Sequence, residues 1–374
     1  MQIIIAGGGP AAVEAAFAIR QYDQVSTIDL YTGENVLPYR RTLLPEVLAG
    51  AMPFERLLIY PEEFYRQNRI NIHLSQSVVK VSKTSQTVTL QDNTVLKFDR
   101  LLLAIGKQSR KLSAPPDVAG KIFSLHDNND LKAIEKQIKP AAKVLIVGGG
   151  ILGLEIASAL LKRKLKVHII EQHNTILHGI LDESLALFLQ KKLLEDKNLT
   201  LHTACNIQEF ITSNGLKCRL NDQAGTVVEA DFIISAIGLE NACDLGFELE
   251  VNNFMQVKDC KNIYAAGDCA AIDGKPNRYY KSACMQGRIA GKNIAGLFEE
   301  YTPLPDECRS KINDYPIYVA GITDRENLES NCQEDDKSLK KLFYCQDKLV
   351  GCIQLGNTQD AGELYSIIRK NLTS

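Results

Sequence analysis

One pattern occurs twice in this 374-residue chain, and the repeat limits the possible folds more than any other feature. Residues 2–6 form an apolar run that enters Gly7-Gly8-Gly9-Pro10-Ala11-Ala12 and continues as a helix-like stretch, Val13 to Arg20. Residues 143–147 enter Gly148-Gly149-Gly150-Ile151-Leu152-Gly153 and continue from Leu154 to Lys162 in the same way. A second apolar run follows in each copy, at 25–31 and 165–170. Each copy closes on a matched segment, Leu101-Leu102-Leu103-Ala104-Ile105-Gly106 or Ile233-Ile234-Ser235-Ala236-Ile237-Gly238. Between these landmarks hydrophobicity alternates with turn signals, as in Thr87-Val88-Thr89-Leu90 before Gln91-Asp92-Asn93.

Strand, Gly-rich turn, helix and a further strand form a dinucleotide-binding unit. The first glycine permits the tight turn, and the second lets a pyrophosphate approach the main chain. The third position (Ala12 or Gly153) lets the helix pack on the sheet, while the helix N-terminus offers amides with partial positive charge. Gly7, Gly9, Pro10 and Ala11, and Gly148, Gly150, Ile151, Leu152 and Gly153, are therefore candidate cofactor-binding residues. The second strand of the later copy ends at Glu171, 18 residues past Gly153. A carboxylate there accepts from both ribose hydroxyls and repels a 2′-phosphate. With no Arg or Lys between Gln172 and Leu181, NADH is expected over NADPH. In the first copy the nearest comparable carboxylate is Glu34, at the end of Ile28-Asp29-Leu30-Tyr31-Thr32-Gly33.

Charge and apolar content remove other classes. With 43 Lys+Arg against 45 Asp+Glu, the net charge is −2, and nucleic acid or an anionic membrane surface is not an expected partner. The longest nearly uncharged run, Val144 to Leu161, carries Gly148-Gly149-Gly150, Gly153 and Glu155, a poor bilayer helix. No basic leader precedes Gln2-Ile3-Ile4-Ile5, so a cytoplasmic setting is expected. The ten cysteines begin only at Cys205 and form no CxxC pair, which reads as small buried residues.

Further motifs sharpen the reading. The first Gly-rich loop, Pro38-Tyr39-Arg40-Arg41, the two Ala-Ile-Gly runs, Ile263-Tyr264-Ala265-Ala266-Gly267-Asp268 and Gln286-Gly287-Arg288 resemble the FAD-dependent pyridine nucleotide–disulfide oxidoreductase superfamily over about residues 1–300. Glu46 and the short C-terminal stretch with Leu349-Val350-Gly351 and Leu355-Gly356-Asn357-Thr358 are most similar to NADH:rubredoxin oxidoreductases and the FAD/NAD region of nitrite reductases. The resemblance implies an α/β fold of two interleaved FAD- and NAD(P)-binding three-layer domains plus a small C-terminal α+β domain. The boundaries would be 1–112 with 242–302 for FAD, 113–241 for NAD, and 303–374 at the C-terminus. In the last, a strand near Tyr315–Ala320, a hairpin Leu342–Cys345/Leu349–Leu355 and a helix Ala361–Asn371 are expected, after a helix from about Ser282 to Phe298.

The same resemblance implies site residues. Asp268, with Gly267, Val78, Ala104, Ile105, Gly106, Arg110, Arg41 and Ala283, would serve FAD; Gly238 would join the NAD set. Arg41 and Glu155 match residues beside the flavin and are the catalytic candidates. Many relatives pair that Glu with a Lys, which Glu46 replaces here. Two carboxylates meeting there would raise one proton affinity unless a cation such as Arg41 or Lys281 intervenes. Family members that use a thiol relay carry cysteines near position 42 or in the NAD domain as CxxC; here Arg41-Thr42-Leu43-Leu44 has none. Electrons would then pass from NADH through the flavin directly to a small one-electron redox protein such as rubredoxin, by a monomer or homodimer. The alternatives are service to a nitrite or nitric-oxide reductase partner, or a flavoprotein whose NAD(H)-dependent redox state controls assembly. The basic groups Arg40-Arg41, Lys107–Lys111 and Arg278–Lys281 are the candidate docking charges.

Overall fold

Both apolar runs become the centre strands of five-stranded parallel sheets with matching construction. The computed structural model describes residues 1–276, 279–323 and 328–373, so Arg278 of the third basic group lies outside the described residues. In the first sheet the order is Ile263–Ala265, Arg100–Leu103, Gln2–Ala6, Thr27–Tyr31, Ile70–His73. In the second it is Leu199–His202, Lys166–Ile170, Lys143–Val147, Phe232–Ser235, Ile122–Phe123. The registers correspond as well: Gln2 faces Thr27 where Lys143 faces Lys166. Strands buried on both faces need continuous apolar sequence. Ile3, Ile4 and Ile5, and Val144, Leu145 and Ile146, are fully buried.

Each sheet is one layer of three. A helix follows the central strand, Pro10–Tyr22 or Ile151–Lys162. A three-stranded antiparallel meander covers the other face: Val78–Ser82, Thr87–Leu90 and Val95–Lys97 in one, Ile207–Ile211, Leu216–Leu220 and Val227–Ala230 in the other. Val81, Val88 and Leu90 join the core of the first sheet, and Leu216, Cys218 and Val228 that of the second.

The chain divides into two compact units. One contains Met1–Leu43, Phe54–Gln108 and Glu240–Pro303; the other contains Leu44–Pro53, Ser109–Leu239 and Leu304–Ser374. The last stretch has its own antiparallel sheet, ordered Glu307–Ile312, Tyr315–Gly321, Lys348–Leu355, Leu339–Cys345, Glu329–Glu334, and a helix at Ala361–Thr373. The helix expected from Ser282 to Phe298 spans Tyr280–Ile294 instead. Gly296, with φ +94°, and Phe298, with φ +56°, turn the chain left-handed just past its end.

Candidate nucleotide-binding sites

The main chain of each Gly-rich loop is fixed by close approach. Gly7 has φ +122°, and a Cβ there would lie 2.1 Å from the Ala104 carbonyl oxygen. Gly148 has φ +113°, and its Cβ would lie 2.4 Å from the carbonyl oxygen of Ala236. The loop thus leans on the Ala-Ile-Gly run of its own half, which is why the two motifs occur together. At Gly9 and Gly150 the opposite holds, because an added Cβ would meet nothing within 4 Å. These residues are the N-caps of Pro10–Tyr22 and Ile151–Lys162, and neither helix has a side-chain cap. Uncapped first-turn amides and the positive end of the helix dipole therefore face open space, the arrangement a pyrophosphate needs.

In the first unit the remaining FAD candidates gather on elements next to that loop. Gly267 donates its amide (2.9 Å) to the buried Gln286 side chain. Asp268, half-buried, takes no hydrogen bond from the described residues. Burial raises its proton affinity, while the charges of Lys107 and Arg41 oppose the rise. A carboxylate removed from water without donors fits a polyol chain, so the residues present suit FAD. Ala283 is buried in the first turn of Tyr280–Ile294, another helix without a side-chain cap. Val78 is buried at the start of the meander, leaving its main chain as the part that can meet a nucleotide. Glu34 accepts from the Tyr39 hydroxyl (2.7 Å) and from Arg41 Nη2 (2.5 Å), so its carboxylate is already held by two candidate motif residues. At position 33 the Ser77 hydroxyl fills the space of a Cβ, 2.2 Å away.

The second unit has a cavity of about 440 Å3 in front of its Gly-rich loop, lined by Gly148, Gly150, Glu171, His173, His178 and Arg110 among others. Glu171 is buried there. Its Oε2 accepts from the Gly149 amide (2.8 Å), and its Oε1 from the His173 amide (2.9 Å) and His173 Nδ1 (2.7 Å). A carboxylate only accepts, so Nδ1 carries the proton. The His173 ring stacks on His178, with centroids 3.8 Å apart and 8° between planes. Neither histidine is among the candidates drawn from sequence, although they follow Glu171 by two and seven residues.

Arg110, grouped with FAD by resemblance, also lines the Glu171 cavity, and its main chain is bonded to Gly238 (3.0 Å) and Ser235 (3.4 Å). At Glu155 the rise in proton affinity expected where two carboxylates meet is found, and the Ser310 hydroxyl donates to Glu155 Oε1 (2.7 Å). Burial pushes Glu155 up to about 7, and the like charge of Glu46 adds to the rise. All ten cysteines are free. Cys269 and Cys284, the two in FAD-side motifs, are pushed up to about 11 by burial. Among the described residues no group of three potential metal ligands occurs, and no helix is long and apolar enough to cross a membrane.

Comparison with known proteins agrees with this geometry. The chain is 27% identical to the rubredoxin-NAD(+) reductase of Pseudomonas putida over 99% of both proteins. It is 26% identical to the nitrite reductase [NAD(P)H] of Bacillus subtilis, covering 99% of this chain but 47% of that enzyme. The crystal structure of NADH:rubredoxin oxidoreductase from Clostridium acetobutylicum superposes with a TM-score of 0.81 at 26% identity, covering 98% of this chain and 94% of that one. A family model matches residues 1–287, and the chain therefore belongs to the pyridine nucleotide-disulphide oxidoreductases, flavoprotein oxidoreductases whose cofactors are FAD and NADH.

Proposed function

We propose that this chain passes electrons from NADH through FAD to a small one-electron redox protein, with a rubredoxin as the first candidate. The observation that carries this reading is the lack of a thiol relay. The turn Arg41–Leu43 has Thr42 and Leu43 where a reactive cysteine would be needed, and Cys269 and Cys284 remain protonated thiols at neutral pH. FAD, when bound, accepts two electrons as hydride from NADH and can release them one at a time.

The residues named above divide the work. Gly7, Gly9, Pro10 and Ala11 cradle the FAD pyrophosphate; Asp268 and Gly267 take the ribityl and phosphate side, and Arg41 remains fixed by Glu34. The uncapped start of Tyr280–Ile294, with Ala283, stabilises negative charge by roughly 0.3–1 kcal/mol, or up to ~2 when buried. Gly148, Gly150 and Gly153 with Glu171 hold NADH, and Glu155 keeps an exchangeable proton near neutral pH. The match to a rubredoxin-NAD(+) reductase over 99% of both chains supports a rubredoxin as the first candidate acceptor.

NADH oxidation by the flavin-loaded protein tests the proposal. Rubredoxin and ferricyanide should accept electrons, whereas glutathione disulfide and CoA disulfide should not accelerate turnover. An acidic carrier drawn by Arg40-Arg41 and Lys107–Lys111 should react more slowly as salt rises, since the Debye length falls from ~30 Å at 0.01 M to ~10 Å at 0.1 M. A rubredoxin rate no higher than that of free FAD with NADH, at any salt, overturns this acceptor.

A further inference from the structure

We propose that His173 sets the choice between NADH and NADPH and makes that choice depend on pH. The proposal rests on the placement of the NADH ribose against Glu171 given above. Of the roughly four acceptor positions on the Glu171 carboxylate, three are taken, by the Gly149 amide and the two groups of His173. What remains receives a ribose hydroxyl. Because Nδ1–H is committed to Glu171, neutral His173 presents Nε2 as a lone pair. A hydroxyl can donate to it; a 2′-phosphate, which mainly accepts, meets a lone pair beside a carboxylate and is rejected.

A single proton reverses this. Imidazole is the side chain that titrates between pH 5 and 8, and protonation turns Nε2 into a donor while offsetting the charge of Glu171. His173 is 39% exposed and so open to solvent protons. The groups facing it are few. Glu171 and His178 share its loop, and the His178 ring stacks on its imidazole. Arg110 lines the same cavity with a constant charge over this range. On the neighbouring segment the Cys205 thiol is pushed up by burial and then by Asp222 and Glu171, and His202, with its stacked partner His168, is held low by burial. With no Lys or Arg between Gln172 and Leu181, His173 and His178 are that stretch's only titratable cations.

The test is calorimetric binding of ADP-ribose and 2′-phospho-ADP-ribose to the flavin-loaded protein at pH 8 and pH 6, for wild type, His173→Asn and His173→Leu. Asn keeps a donor near the Nδ1 position but cannot become charged; Leu loses both properties. The free 2′-phosphate gains a proton near pH 6 whichever protein it is titrated into, so the difference between proteins is what is read. From pH 8 to pH 6, affinity for the phosphorylated ligand relative to ADP-ribose should rise roughly fivefold more in wild type than in His173→Asn. At pH 8, His173→Leu should weaken ADP-ribose more than His173→Asn does. Equal pH responses in wild type and His173→Asn overturn the role of His173. An unchanged ADP-ribose affinity in Glu171→Ala overturns instead the ribose placement beneath it.

Discussion

The two Gly-rich halves share a backbone and differ in what covers their helices. On Pro10–Tyr22 lies the helix Tyr280–Ile294, so near that a Cβ on Gly287 or Gly291 would stand 2.1 Å from the Ala11 or 2.4 Å from the Ala15 carbonyl oxygen. On Ile151–Lys162 the largely apolar helix Leu44–Leu48 is joined by polar contacts: Ser310 bonds Glu155, the Asn313 amide donates to Ser158 (2.8 Å), and Lys162 pairs with Asp314 (3.1 Å). The contrast is plainest at one repeated residue. Glu14 and Glu155 both lie five positions after the second glycine, yet Glu14 is matched by Arg288 at 2.8 Å and Glu155 by the Ser310 hydroxyl. Close small-residue packing suits a group retained through turnover. An open cavity with a pre-oriented carboxylate suits one that must leave each cycle.

That contrast can be broken half by half. A Cβ at Gly9 or Gly150 meets no protein atom within 4 Å, so Gly9→Val and Gly150→Val should fold but block their cradles. Gly9→Val should purify without flavin, a loss of roughly 100-fold or more in affinity. Gly150→Val should stay yellow while the KM for NADH rises by a similar factor. A colourless Gly150→Val would erase the distinction.

Removing one carboxylate from each half should do less. Losing a charged hydrogen bond is worth roughly 1.5–3 kcal/mol, so Asp268→Ala should weaken FAD about 10- to 100-fold, read from flavin absorbance on dilution. Glu171→Ala should raise the KM for NADH on the same scale, narrow the preference over NADPH, and leave flavin bound. A wild type that prefers NADPH would count against Glu171.

The smallest effect concerns the repeated glutamate. Folded Glu155 holds its proton to about pH 7, against 4.5 as the ordinary value, so the folded state binds more protons. Its stability therefore declines as pH rises from about 4.5 to about 7. Glu155→Gln, which still accepts from Ser310, should remove that decline and raise Tm by a few degrees at pH 8 but not at pH 4. Glu14→Gln breaks a partly exposed ion pair and should cost about 0–1 kcal/mol by denaturant unfolding, without that pH pattern.

Much of this could be read from sequence because it rests on short-range chemistry. The apolar runs, both Gly-rich loops and Glu171 at its strand end each carry a local pattern. Gln286-Gly287-Arg288 was legible as a motif, and its parts now have tasks: Gln286 binds the Gly267 amide, Gly287 admits the Ala11 main chain, and Arg288 pairs with Glu14. What escaped depends on partners distant in the chain. Ser310 reaches Glu155 across 155 residues, and nothing near a serine announces that. The strand Glu329–Glu334 (ESNCQE) is exposed throughout and has no apolar alternation to reveal it. Residues 44–53 group with the second unit although both flanks belong to the first, an arrangement no local pattern encodes.

Those crossings govern how the molecule can be made. The helix that covers Pro10–Tyr22 ends only at Ile294, so a chain emerging from the ribosome holds the first helix for about 270 residues before its cover exists, roughly 14–54 s at 5–20 residues per second. In that interval Ala11, Ala12, Ala15 and Ala16 have no native covering helix, and the edge strand Ile263–Ala265 is also still to come. The second parallel sheet, complete once Ser235 has emerged, can close first. Both halves therefore wait on late segments, the first helix on Tyr280–Ile294 and Ile151–Lys162 on Ser310, Asn313 and Asp314, which emerge later still.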